Sequence, residues 1–168
     1  VTISDLRTVQ APLKQQYRDD PDAALVTLRA NGELGAGISC SVQTGQALVE
    51  AGLHPATGGD NLSVCSGDML LQALVACAGV TLAAVASSLG IDVTGVVHAE
   101  GDLDFRGTLA VDKQTAVGFQ DIRMRFELTS DADEEKIATL IRLTERYCVV
   151  FQTLAVPPKL AVSHSVHS

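Results

Sequence analysis

The sequence predicts an α+β fold in which sheet wraps around helices, and three stretches carry that prediction. Met69–Ala86 (MLLQALVACAGVTLAAVA) is an almost unbroken apolar run, which reads as a helix covered on every side. Gln120–Leu128 alternates Ile122, Met124, Phe126 and Leu128 against Asp121, Arg123, Arg125 and Glu127, the pattern of a half-buried strand. Ile137, Leu140, Ile141, Thr144, Cys148 and Phe151 recur at i, i+3, i+4 spacing, which marks an amphipathic helix with Cys148 on its buried stripe. The predicted order is strands, central helix, strands, helix, strand, with no βαβ alternation.

The elements follow from local chemistry. Residues 1–168 read as a single domain, with about 1–24 as an N-terminal extension or first element. Leu25–Ala30 and Ile38–Thr44 read as a strand pair joined through Asn31-Gly32, with Ile38, Cys40 and Val42 on the core side. Gly52–Ser66 is rich in Gly, Pro, Asn and Asp and reads as a loop delivering the chain to the apolar helix. Ser66 can cap that helix, with Asp68 in its first turn, and Gly90 ends it. Ile91–Glu100 alternates as a strand, and Gly101–Gly118 is left as a hairpin or irregular connection. Ser130 or Asp131 opens the second helix, Pro157-Pro158 closes it, and Lys159–Val166 reads as a final edge strand.

Composition narrows the function. Twenty Asp and Glu against twelve Lys and Arg give a net charge of −8, which argues against nucleic acid or anionic membrane as partners. Met69–Ala86 has the length of a membrane span, but Gln72 and Thr81 interrupt it and Asp68 and Asp92 flank it without a basic cluster. It is expected to be a buried helix, and covering it in so short a chain points to oligomerisation. Four cysteines at 40, 65, 77 and 148 form no CxxC pair, and Val1–Asp20 shows no basic and apolar leader pattern, so a reducing cytoplasm is the expected location. Four histidines without HxxxH spacing give no metal signature, and no phosphate loop or GxSxG elbow is present, so neither a metal nor a cofactor is expected. His164 and His167, three apart in a predicted strand, face opposite ways, while His54 and His98 read as surface or capping groups.

Cys77 and Cys148 are the candidates for chemistry. A thiol in an apolar site is inert unless its pKa is lowered, so each is either packing or a built redox centre. Cys77 lies well beyond the first turn of its helix, out of reach of that helix's dipole, and any thiolate there needs a cation or strong donor from elsewhere. Thr81 lies one turn away, and Ala76, Gly79 and Ala83 allow a second helix to approach closely. A break near Tyr147 would place Cys148 at a new helix start. Cys65, in the loop before the helix, is a third thiol.

The stretch GGDNLSVCSGDMLLQALVACAGVTLAAVASSLGIDV, followed by LTERYCVVFQTL, resembles the OsmC/Ohr family of osmotically inducible and organic-hydroperoxide-resistance proteins. The resemblance runs from about Leu25 to the C-terminus. It implies an OsmC-like intertwined homodimer of central apolar helices wrapped by antiparallel sheets, and a thiol peroxidase that reduces organic hydroperoxides in oxidative stress defence. By resemblance Cys77 is the peroxidatic cysteine, Cys148 resolves its sulfenic acid as a disulfide, and a dithiol reductant regenerates the pair. Asp68 stands where a family glutamate orients an activating arginine. The loop arginine of some members has no counterpart, since Asp60 occupies that neighbourhood, so Arg29 is the favoured cation and Arg18 the other early candidate. Cys148-Val149 replaces the usual Cys-Pro pair, which places the chain with divergent members. The alternative reading is a non-catalytic small-ligand-binding protein, or a redox sensor using Cys65, on the same dimeric fold.

Overall fold

The structure, a computed structural model, describes residues 3–34, 40–42, 51–59 and 64–166; residues 3–7, 28–32, 34, 40–42 and 51–52 are described by their backbone alone. Its centre is α2 (Ser66–Leu89), the apolar run of the sequence extended at both ends. Leu71, Leu74, Val75, Ala78, Leu82 and Ala86 repeat at helical spacing and are buried. Gly90 closes the helix in the left-handed conformation, φ 66°, with its N–H returned to Ala86 and Ser87, as the sequence predicts. Cys65, not Ser66, is the N-cap residue, and its side chain makes no cap bond.

Around α2 the chain builds two layers. A four-stranded antiparallel sheet, ordered β2-β1-β5-β6, contains β1 (Leu25–Leu34), β2 (Cys40–Val42), β5 (Thr94–Asp104) and β6 (Asp121–Thr129). Val97 and Ala99 of β5, with Ile122, Met124 and Phe126 of β6, pack on Leu71, Leu74, Val75 and Ala78 of α2. The β6 alternation holds residue by residue, so its charged side chains lie on the opposite, polar face. There Arg123 is bonded to Asp102 and Asp121, and Thr27 donates to Asp102 at 2.6 Å. The second layer is α4 (Glu134–Tyr147) and α5 (Val149–Ala155), which run against α2.

The remaining elements are short. Helix α1 (Ile3–Asp19) occupies the N-terminal segment and is tied down by Tyr17, whose hydroxyl donates to the Ala56 carbonyl at 2.7 Å. A two-stranded parallel ladder joins β3 (Ala51–Gly52) to β4 (Val64–Cys65), and a helical turn, α3 (Phe105–Thr108), follows β5.

Several expectations need correction. Asn31-Gly32 is no turn: β1 runs through both residues, because its ladder to β5 is continuous from Leu25↔Asp104 to Glu33↔Val96 and overrides the local turn preference. The pairing of β1 with β2 is antiparallel as expected, in the register Leu34↔Cys40. The expected core position of Cys40 falls on a side chain outside the described residues. The second helix opens at Asp133, whose carboxylate accepts from the Lys136 N–H at 2.8 Å; Ser130 instead donates to the Asp92 carbonyl. Lys159–Val166 forms no strand. Leu160 and Val162 are 88% and 98% exposed, and the segment pairs with no described strand, although β6 ends the sheet with a free edge.

Among the described residues one charge is fully buried. Asp104 ends β5 and caps α3, accepting from the Arg106 backbone N–H at 3.0 Å and from Arg106 Nε at 3.0 Å. The Arg106 guanidinium is the main reason its carboxyl is held below the ordinary value. A carboxylate with a depressed folded pKa contributes stability that is full above the ordinary carboxylate range and lost as pH falls through the folded pKa. Arg106→Met is therefore expected to lower the urea midpoint at neutral pH, because it strands a buried charge. Its deficit against wild type should fade in acid, once Asp104 is protonated in both proteins. Urea titrations across pH measure the difference, and a deficit independent of pH would contradict the assignment.

Candidate functional site

The site forms where α4 stops. Cys148 closes α4 through its N–H to the Thr144 carbonyl at 2.9 Å, and its own carbonyl accepts the first bond of α5 from the Gln152 N–H at 2.9 Å. Between the two helices its backbone is extended, φ −70° and ψ 108°. The break raised by the sequence is thus present, and it turns the first amides of α5 toward α2. Cys148 is fully buried in the cluster formed by Leu71, Leu74, Val75 and Ala78, against which Cys77, Val150, Phe151 and Leu154 also pack.

Cys77 meets this junction from α2. Burial by itself would push its thiol up, yet its pKa is lowered, because four donors outweigh that cost. They are the backbone N–H of Val150, the thiol of Cys148, the backbone N–H of Val149 and the hydroxyl of Thr81 one turn along. Cys148 moves the other way. Burial, together with its role as donor to a neighbouring thiolate, pushes it up to about 11, although the Phe151 and Val150 amides pull it down. A helix start alone therefore does not activate Cys148, contrary to what its position at the break suggests. The arrangement gives one half-buried thiol with a lowered pKa beside one buried thiol held protonated.

The other predicted residues lie elsewhere. Asp68 is nine residues before Cys77 on the same helix, roughly 13 Å at about 1.5 Å of rise per residue. Its charged neighbour is His54: burial raises the Asp68 pKa, and His54 opposes that rise. His54 is also a cap, accepting the Ala56 N–H on Nδ1 at 3.0 Å and stacking on Phe105 with ring centroids 5.1 Å apart. Arg29 is in register with Glu100 across β1 and β5, and its side chain lies outside the described residues, as does Asp60. Arg18 is on exposed α1, bonded to Gln15. Among the described side chains the donors to Cys77 are amides, a thiol and a hydroxyl, not a guanidinium.

Two apolar hollows flank these groups. One of about 340 Å³ lies between β6 and the helices, lined by Leu74, Ile122, Met124, Phe151 and Leu154, with Phe119 and Gln120 at its edge. It adjoins the Cys148 cluster through Leu74, Phe151 and Leu154. The other, also about 340 Å³, is lined by His54, Cys65, Leu70, Leu103, Phe105 and Phe119 at the start of α2.

The amides of Val149 and Val150 are what sequence reasoning missed. Their only trace was the Cys148-Val149 dipeptide itself and the chance of a break beside it. If the donors set the reactivity, Thr81→Val should slow alkylation of Cys77 at neutral pH severalfold by removing one of them. Cys148 should remain nearly unlabelled while the protein is folded. Peptide mapping after a timed iodoacetamide pulse measures both rates, and an unchanged Cys77 rate would remove Thr81 from the site.

Comparisons with known proteins agree with the fold. The crystal structure of an OsmC-like protein from Mycoplasma pneumoniae superposes with a TM-score of 0.55 at 17% identity, covering 79% of this chain and 86% of that one. The structure of an OsmC-like hydroperoxide resistance protein from Jannaschia sp. CCS1 gives 0.55 at 18% identity, covering 85% and 95%. No curated protein matches the chain. The family model described as OsmC-like protein matches residues 58–163, which include α2, β5, β6, α4, α5 and both candidate cysteines, and the chain belongs to that family.

Proposed function

We propose that the protein is a thiol peroxidase for organic hydroperoxides, with Cys77 as nucleophile and Cys148 as resolving thiol. The observation that carries this reading is the packing of Cys77, its pKa lowered, against the buried Cys148 where α4 gives way to α5. A thiolate attacks the distal oxygen of a hydroperoxide; the S–O bond forms as the O–O bond breaks, and the departing alkoxide takes a proton to leave as the alcohol. The resulting sulfenic acid is attacked by Cys148, which forms the disulfide and releases water. Two electrons from a dithiol restore both thiols. The apolar hollow beside Cys148 suits the carbon portion of an organic peroxide better than hydrogen peroxide. A hydroperoxide resistance protein among the structural relatives is consistent with this reading. In the same reading Asp68 and Arg29 form an outer carboxylate and cation, the protein works in the cytoplasm, and the defence is against oxidative stress.

Cys77→Ser should reduce consumption of an organic hydroperoxide to the uncatalysed background. Cys148→Ser should keep the first turnover and accumulate oxygen on Cys77, seen as added mass on its peptide. Full steady-state turnover by Cys77→Ser would sink the proposal. Of the alternatives, the redox sensor using Cys65 draws support from the second hollow, which Cys65 lines, whereas the small-ligand-binding protein requires slow alkylation of Cys77. The sensor requires Cys65 to react before Cys77 in the same labelling experiment.

The reading also includes a homodimer. Met69, Leu70, Val80 and Leu89 of α2 are more than a third exposed in the single chain, an unusual state for so apolar a helix. The exposed Leu160 and Val162 add a second uncovered apolar segment. A second copy supplies cover for both. Light scattering on a sizing column should give a dimer mass for wild type and a monomer for Val80→Glu, whereas a monomeric wild type would remove the dimer from the proposal.

A further inference from the structure

We infer that Lys159–Val166 of one copy adds as a strand to the outer edge of β6 in a second copy. The inference rests on the homodimer reading and names one contact that holds the dimer. Among the described strands β6 ends the order β2-β1-β5-β6 and pairs on one side alone, continuously from Thr94↔Thr129 to Asp102↔Asp121. A long open edge is a template for another strand, and proteins blunt such edges with proline, a bulge, an inward charge or a very short strand. None of these protects β6. Its 9 residues contain no proline, its register skips no residue, and its inward positions are Ile122, Met124, Phe126 and Leu128.

The segment that fits this edge is left over from the same chain. Leu160, Val162 and Val166 fall on one side of an alternating pattern, with Ala161, Ser163 and Ser165 on the other. Yet the three apolar side chains are almost wholly exposed, and among the described residues no main-chain hydrogen bond involves 159–166. A lone strand of this length has nothing to hold it in water. Added to β6, its apolar side continues the row from Ile122 to Leu128, with His164 sharing that side near the segment's end. Apart from Lys159 at the start, its other side is uncharged, so it meets the alternating Asp121, Arg123, Arg125 and Glu127 without a run of like charges.

The exit of the segment from the body points to a second copy as the receiver. Leu154 and Ala155 of α5 line the same hollow as Asp121 and Ile122 at the start of β6, so the chain's own edge is close at hand. The segment does not take it. Pro157-Pro158 fix an extended backbone straight after the helix, and the residues beyond them stand clear of the body as an arm. An arm exchanged between identical copies closes a two-fold dimer, since each copy gives a strand and receives one.

The test uses the full chain at a concentration where light scattering gives the dimer mass. Amide exchange read by mass spectrometry should be at least about tenfold slower in 159–166 than in the same sequence as a free peptide. Val162→Pro removes a ladder donor from an exposed position and leaves the body of the fold untouched. It should return 159–166 to the free-peptide rate and speed exchange in 121–129, whereas Val162→Thr, which keeps the amide and the β-branch, should match wild type. A photoreactive phenylalanine analogue replacing Ser163, in isotope-labelled protein co-refolded with unlabelled protein, identifies the receiving chain. Cross-links from labelled 159–166 to unlabelled 121–129 are expected. Cross-links confined to one copy, or made to β2 at the other edge of the sheet, overturn the inference. So does a wild-type dimer whose arm exchanges like the free peptide, a result that leaves the dimer reading in place, while a monomeric wild type ends both.

Discussion

The constraint on which the rest of the structure depends is the need to cover α2. A helix apolar on nearly every side has no face to give to water, so the remaining elements are arranged by how they screen it. The sheet takes one side with Val97, Ala99, Ile122, Met124 and Phe126, and α4 and α5 take another. Leu140 closes the far end against Leu82, Ala86 and Ile91. The same requirement brings a second helical element within reach of Cys77. Without α5 pressed on α2, the middle of α2 would hold a thiol with no donor except its own Thr81.

That contact brings donors to a thiol in the middle of a helix and lowers its pKa. Its own helix cannot help, because the intrahelical bonds there are all made and the dipole acts only at the ends. A second helix starting next to it can help. Its first amides are unpaired by geometry, and they carry partial positive charge without the desolvation cost of bringing a full cation into an apolar cluster. Three of the described arginines are paired with carboxylates, Arg106 with Asp104, Arg123 with Asp102 and Asp121, Arg125 with Glu127, while Arg18 bonds Gln15, Arg142 bonds Thr139 and Arg146 lies over the Tyr147 ring. In an acidic chain that commitment is unsurprising.

Much of this was legible in the sequence. The period-2 pattern of β6, the apolar run of α2 and the glycine at its end each depend on near-neighbour chemistry and came through intact. Thr81 as the neighbour of Cys77 followed from helical spacing alone. What failed depended on partners distant in the chain. Asn31-Gly32 has the composition of a turn, and only the long β1–β5 ladder holds it extended. Lys159–Val166 alternates like a strand but pairs with no described strand. The activation of Cys77 was hidden for a different reason. Backbone amides are the same at every non-proline position, so the sequence marked their place only by the absence of proline after Cys148.

The opposed shifts of the two thiols also bear on the order of events. Cys77 is half-buried with its pKa lowered, and in the proposed reaction it meets the hydroperoxide first; Cys148 is fully buried and held protonated. A thiol locked in that state is a poor competitor for peroxide, which protects it from direct oxidation. In the proposed reaction, once Cys77 carries oxygen its thiolate no longer helps to keep Cys148 protonated, although burial, the larger cause, remains. The Phe151 and Val150 amides then remain to favour the Cys148 thiolate. Oxidation of one sulfur in the proposed reaction thus removes a restraint on the other.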